Sequence, residues 1–298
     1  MNKQNIFTLK RLVLALALTG YTMSSAYAVL TSGTGTIQGA APVLSAPSNS
    51  AINAVDFDHD AQKTGFISSG DTITLKYNYG DTDGDEDDSL SHVEWYYTRN
   101  GANVLIASTN VVNTPATTIG GQGTSVVTVP AAAIGASAIS VKIKEYSKTG
   151  DPLMGGEIEI SDVKNGGGGT GPFPPAGPII PGDNVTPGIY ASTDTSFSTN
   201  LLASANSSVK LNVGDTYVFK LWDSAGVGTT DLTDTVPDYN WRLLGTSATD
   251  SVTAPADGFD TGVTGANYTI PVNTGTNGGT AITGSSDGVQ GFQLAVDY

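Results

Sequence analysis

Residues 70–97 read GDTITLKYNYGDTDGDEDDSLSHVEWYY, and this stretch decides the fold. Ile73, Leu75, Tyr77 and Tyr79 alternate with Thr72, Thr74, Lys76 and Asn78, and Val93, Trp95 and Tyr97 alternate with His92, Glu94 and Tyr96. A period of two puts every second side chain on one face, so each run is expected to be a strand with one buried face. Between them lies Asp81-Thr82-Asp83-Gly84-Asp85-Glu86-Asp87-Asp88, with six carboxylates in eight residues. Asp-Gly is turn chemistry, so the acidic run is expected to be the loop that joins the two strands.

The pattern occurs twice. Gly214-Asp215-Thr216 opens GDTYVFKLWDS as Gly70-Asp71-Thr72 opens GDTITLKYNYGD, and Lys220 sits where Lys76 does. Trp241 follows as Trp95 does, then Thr269-Ile270-Pro271 as Thr128-Val129-Pro130, then Phe292-Leu294-Val296 as Ile139-Val141-Ile143. The offsets are 144, 146, 141 and 153 in the same order, which points to a duplication. Asn100-Gly101, Gly120-Gly121, Thr149-Gly150-Asp151 and Asn277-Gly278-Gly279 supply turns. No segment after residue 28 has the apolar period of an amphipathic helix. The expectation is an all-β chain of two immunoglobulin-like β-sandwich domains in tandem, with Trp95 and Trp241 as core anchors.

The boundaries follow from composition. Residues 1–28 have a basic start (Lys3, Lys10, Arg11), a short apolar run (Leu12–Leu18) and the small-x-small site Ala26-Tyr27-Ala28, the pattern of a signal peptide. The run is shorter than the ~20 residues of a membrane anchor, and no later stretch is long or apolar enough to span as a helix. Residues 29–44 are a flexible uncharged segment, 45–163 the first domain, 164–188 (KNGGGGTGPFPPAGPIIPGDNVTPG) a Gly/Pro linker, and 189–298 the second domain. In the first copy, GEIEISDV (156–163) reads as a last strand. In the second, the matching position is Gly291–Tyr298, which leaves two readings: a missing last strand with an open edge, or an absent earlier strand. A donor for such an edge would be 29–40, another copy or a different protein.

Composition narrows function. Lys and Arg number 13 against 28 Asp and Glu, a formal charge of −15. Loss of 1–28 removes three bases and makes it −18. That charge excludes nucleic acid as a partner, since phosphates need Lys and Arg. Zero Cys excludes disulfides and thiolate chemistry. His59 and His92 have no nucleophile context, no G-x-S-x-G elbow occurs, and the Gly run 166–169 lacks the Lys-Ser/Thr of a phosphate loop. A non-enzyme is expected. Asp81, Asp83, Asp85 and Asp87, spaced by two, are candidate calcium ligands, because Ca2+ takes six to eight oxygens. An EF-hand is ruled out, with Glu86 at position six and His92 at position twelve. The alternative is a solvated acidic turn. Asp56, Asp58 and Asp60 form a second acidic cluster.

The strand–acidic loop–strand run, the leader, the Gly/Pro linker and the second Trp-bearing copy resemble a family of secreted immunoglobulin-like proteins. These are the SinI-type proteins associated with intimin/invasin-like autotransporters, with the Zir-type exported proteins similar to them. The resemblance implies export through the inner membrane to the periplasm, then to the cell surface or beyond. It also implies adhesion or interaction through contact with an intimin/invasin-like outer-membrane protein or a co-exported immunoglobulin-like protein. Two alternatives stand beside it: a fimbrial-type structural subunit, and a carbohydrate-binding surface module using exposed aromatics such as Tyr96 and Trp222.

Overall fold

The computed structural model describes residues 30–175, 177–223, 230–272, 276–277 and 280–298; the leader expected at 1–28 lies outside them. Residues 39–298 form one compact unit. Of the other unit, 30–38 are irregular and exposed. Among the described residues the helices are single 3-10 turns, and all else regular is antiparallel strand.

The first half has nine strands: β1 (Val43–Ser45), β2 (Asp56–His59), β3 (Thr72–Gly80), β4 (Val93–Arg99), β5 (Ala102–Leu105), β6 (Val111–Thr114), β7 (Gln122–Thr128), β8 (Ala138–Tyr146) and β9 (Met154–Ile160). One sheet runs β1-β3-β7-β6, with β2 also pairing β3; the other runs β5-β4-β8-β9. The period read from the sequence holds: Ile73, Leu75, Tyr77 and Tyr79 are all at most 1% exposed, with half-buried residues between them. Their faces close on Phe57, Trp95, Val127, Ile139, Val141 and Ile143, a sandwich-like core. Trp95 donates from Nε1 to Ser125 Oγ at 2.9 Å, which settles its only polar atom. Asn100 and Gly101 both have positive φ between the paired Arg99 and Ala102, the two-residue hairpin their sequence predicts.

The second half has β10 (Val185–Ala191), β11 (Thr216–Asp223), β12 (Asn240–Gly245), β13 (Phe259–Thr264), β14 (Tyr268–Thr269), β15 (Thr276–Asn277), β16 (Thr280–Ala281) and β17 (Phe292–Asp297). Its sheets are β10-β11-β14 and β13-β12-β17, with β15-β16 a small hairpin. Trp241 is fully buried, stacks on Tyr268 at 5.6 Å and donates from Nε1 to the Ala266 carbonyl at 2.7 Å.

The two halves repeat one arrangement at atomic detail. Gly70 N donates to Val129 O at 2.8 Å and Gly214 N to Ile270 O at 2.8 Å; Thr72 pairs with Thr128 and Thr216 with Thr269. Gly70 and Gly214 have φ of +93° and +87°, which only glycine adopts without strain. The acceptors of the two tryptophans, Ser125 and Ala266, sit at the same offset as the TVP and TIP motifs. One match shifts. Trp95 lies opposite Val141 and Trp241 opposite Val296, so the last strands correspond two residues away from the offset read in the sequence.

The Gly/Pro run differs from the expected free linker. Val55 N donates to Gly167 O at 2.8 Å, Ser69 N to Ile180 O at 2.9 Å, and Gly135 N to Ile179 O at 2.8 Å. Ile179 is 3% exposed within the first core. A Cβ at Gly167 would collide with Val55 Cγ2, so glycine here permits close backbone approach rather than freedom. The run is a strap on the first half, and β10 already begins at Val185 inside the segment expected to be linker.

Burial also sets an alkaline limit. Burial raises the phenols of Tyr77 and Tyr79, and that of Tyr268 is pushed up to about 12. An unfolded Tyr ionises near pH ~10. Their contribution is therefore full below about pH 10 and is lost as pH rises through the folded values. From neutral pH the melting temperature should hold up to that point and fall beyond it, with the phenolate absorbance of these three buried residues appearing only on unfolding.

Candidate functional site

The acidic run was the strongest chemical signal, and its geometry separates the carboxylates rather than gathering them. Asp81 is 7% exposed, and its Oδ1 accepts from the backbone N–H groups of Asp83, Gly84 and Asp85 at 2.8, 3.0 and 3.3 Å. It folds its own loop. Asp83 Oδ2 accepts from Ala40 N at 2.6 Å and ties down the segment entering β1. Asp85 Oδ1 accepts from Thr149 Oγ1 at 2.5 Å, and Glu86 pairs with Lys148 at 2.9 Å, so both grip the turn between β8 and β9. Lys148 holds the Glu86 carboxyl below its ordinary value, and Glu86 raises the lysine in return.

Asp87 is the most deeply placed of the four, at 3% exposed. Its Oδ2 accepts from Tyr77 Oη at 2.5 Å and Ala116 N at 3.0 Å, and its Oδ1 from Ser89 N at 2.9 Å. Burial, and then the bond to Asp87, holds the Tyr77 phenol protonated. Three donors take the place of the water that burial removes from this side chain. The loop thus works as a set of staples, with each acid joining it to a different neighbour.

This bears directly on calcium. Among the described residues no three Asp, Glu or His side chains are grouped as metal ligands. One atom fits a cation: Asp81 Oδ2 is buried with no donor among the described residues. The rest fits poorly. Asp87 has both oxygens engaged by protein donors, and Lys148 shares with Asp85, Glu86 and Asp87 the lining of the adjoining 480 Å3 cleft. That is one buried free oxygen beside an ammonium, with the other carboxylates of the row turned to separate protein donors, against the six to eight oxygens Ca2+ takes. The expected result of adding Ca2+, or of adding a chelator, is no change in melting temperature; a ligand binding only the folded state would raise it.

The second acidic cluster is also dispersed. Asp56 accepts from Ser48 N and Oγ at 2.6 and 2.7 Å, Asp60 from Thr72 N at 2.5 Å, and Asp58 pairs with Lys76 at 2.7 Å, which lowers its pKa. Their partners lie up to 18 residues away, so the sequence carried no signal of them. His59 Nδ1 accepts from Ala61 N, and His92 packs on Tyr146 with ring centroids 3.9 Å apart. Among the described residues neither histidine is hydrogen-bonded to a Ser, Thr or Tyr hydroxyl.

Trp222, expected as an exposed aromatic, is 6% exposed and donates from Nε1 to Tyr190 Oη at 3.0 Å. Its position between buried Leu221 and half-buried Asp223 breaks the alternation of β11, because Phe197 caps it at 5.6 Å. Tyr96 is half-buried.

What the surface does offer is strand edge. All four residues of β5 are exposed, including Val104 and Leu105. Val112 on β6 is 66% exposed. β5 and β6 end different sheets and follow one another across the turn Ser108–Asn110, so among the described residues one flank presents two unpaired edges. Sequence reasoning missed this flank, since residues 102–105 and 111–114 are too short to show a clear alternation. No helix among the described residues is long and apolar enough to cross a membrane. No protein-family model matches the chain, and no curated protein matches it in sequence.

Proposed function

We propose that this chain is an exported, non-enzymatic interaction protein of two immunoglobulin-like domains. It would bind an intimin/invasin-like outer-membrane protein, or a co-exported immunoglobulin-like protein, at the cell surface. The sheet order supports the domain assignment: β1/β2-β3-β7-β6 over β5-β4-β8-β9 is the ABED and C′CFG order of that class. β10-β11-β14 and β13-β12-β17 repeat its A-B-E and C′-C-F parts.

The observation that carries the functional reading is the β5/β6 flank. A strand edge that keeps apolar side chains in water invites a strand from a partner, which adds main-chain hydrogen bonds and covers those side chains. The high negative charge suits a surface protein that stays apart from other polyanions until such an edge is met.

The test is capture of the purified chain on outer-membrane fractions from two isogenic Gram-negative strains, one bearing an intimin/invasin-like autotransporter and one lacking it. Retention only on the first is expected. Leu105→Lys with Val112→Lys, both at exposed positions, should reduce retention at least about tenfold, the loss of ~1.4 kcal/mol of contact. Equal retention on both strains would sink the proposal. Glycan-dependent retention would favour a carbohydrate-binding module instead.

A further inference from the structure

The second half presents a different edge. Among the described residues β17 is paired on one side only, by β12. Its first-half counterpart, β8, is paired on both sides, by β4 and β9. The consequence is visible in burial. Ile139, Val141 and Ile143 on β8 are at most 2% exposed, where Ile158 and Ile160 of β9 lie opposite Ile143 and Val141. Phe292, Leu294 and Val296 on β17 point toward the second core but stay only half-buried. Among the described residues no strand lies on the other side of β17 to bury them.

The occupant must be extended, at least as long as β17, and nearly uncharged. Two copies that each carry strong net negative charge repel across most surfaces, so an acidic strand would not serve. Residues 30–38 (LTSGTGTIQ) meet the conditions: they carry no charge, form no strand, and expose Leu30 at 94% and Ile37 at 99%. Nine residues exceed the six of β17. Their Gly, Thr and Ser side chains impose no steric bar beside a half-buried strand, and Ile37 supplies the one large apolar group such a site needs.

We propose that the free edge of β17 takes up residues 30–38 of a second copy of this chain as an added strand, linking copies head to tail. The contact is heterologous, so it continues from copy to copy into a chain of molecules unless the rotation closes it into a ring.

The absence of native Cys gives a clean test. Single Cys variants at Thr34, Gly35, Thr36, Ile37 and Gln38 are each mixed with Gln293→Cys, an exposed position on β17, under mild oxidation. Added-strand pairing predicts alternation: Cys at 34, 36 and 38 gives disulfide heterodimers about a hundredfold faster than Cys at 35 and 37, because bound segments hold thiols at high effective concentration. Val112→Cys on β6 replaces Gln293→Cys as the control partner. Light scattering should show oligomers that Ile37→Asp returns to monomer.

Equal rates at all five positions, or equal rates with Val112→Cys, would overturn the proposal. So would fastest dimerisation of Gln293→Cys with itself, which means β17 pairs with β17. A disulfide formed within single chains of Thr36→Cys/Gln293→Cys would overturn the second-copy assignment.

Discussion

Asp87→Ala is expected to unfold the first half well below the temperature at which the parent chain melts, while Asp83→Ala barely registers. Both remove one carboxylate from the same acidic run, and the two differ only in what the carboxylate holds. Asp87 satisfies Tyr77 Oη, Ser89 N and Ala116 N from a site 3% exposed. Alanine strands all three donors in the interior. Each stranded buried donor costs about 1–3 kcal/mol, so even the low end gives a loss of about 3 kcal/mol. At ~4 °C per kcal/mol, the value where the ranges for smaller and larger domains meet, the melting temperature falls by about 12 °C or more. Asp83 holds a single N–H, that of Ala40, at an exposed position, and its loss should stay within about 0.5 kcal/mol. Thermal melts of the two variants decide this. Equal shifts would mean that the run acts through its summed charge, as a solvated turn or an ion site would. Asp87→Asn adds a check: it keeps the volume and one acceptor, but turns an NH2 toward N–H and O–H donors. It should recover only part of the loss.

The contrast shows where sequence reading ends. Alternation in 72–79 and 93–97 identifies which side chains face inward, because strand geometry fixes that locally. The repeated GDT, Trp and TVP/TIP landmarks hold for the same reason: each is a local requirement, a positive-φ glycine before a strand or a ring on its inner face. What six carboxylates do in one loop is not local. Their partners, Ala40, Tyr77, Ala116, Lys148 and Thr149, lie up to 64 residues away. Spacing of two is compatible with a ligand row and equally with a row of staples. The Gly/Pro run 164–188 carried the same ambiguity. Glycine and proline mark both a free tether and a strap that must pass close to another backbone, and only the presence of Val55 against Gly167 distinguishes them. Trp222 was read as exposed because its period placed it outward, but Tyr190 and Phe197 cover it.

The largest effects should come from the two tryptophans, and they should not be symmetric. Trp95 and Trp241 are each at most 1% exposed, and Trp→Ala in such a site costs about 3–5 kcal/mol. Trp241→Ala removes the Tyr268 stack and the bond to Ala266 O within the second core. Among the described residues, the buried members that this core takes from the first half are Ala131 and Ile134, which lie between β7 and β8. These two are buried, Ile134 at 1%, and Arg99 of β4 donates to the Ile134 carbonyl and to Ala132 O. Dependence therefore runs one way. If the second core opens, the first keeps Phe57, Trp95, Val141 and the strap residue Ile179. If the first opens, the loop carrying Ala131 and Ile134 loses its anchor, and the second core loses part of its packing. Calorimetry of Trp241→Ala should show a low-temperature transition for the second half and an unshifted one for the first. Trp95→Ala should lower both. Limited proteolysis at the onset of each melt assigns the halves, with a fragment from β1 through the strap, 43–182, surviving in the first variant. A single shared transition in both variants would mean that 39–298 unfolds as one cooperative unit, and the tandem-domain proposal would then fail as a statement about stability. Equal and independent shifts would mean that Ala131 and Ile134 contribute contact without support.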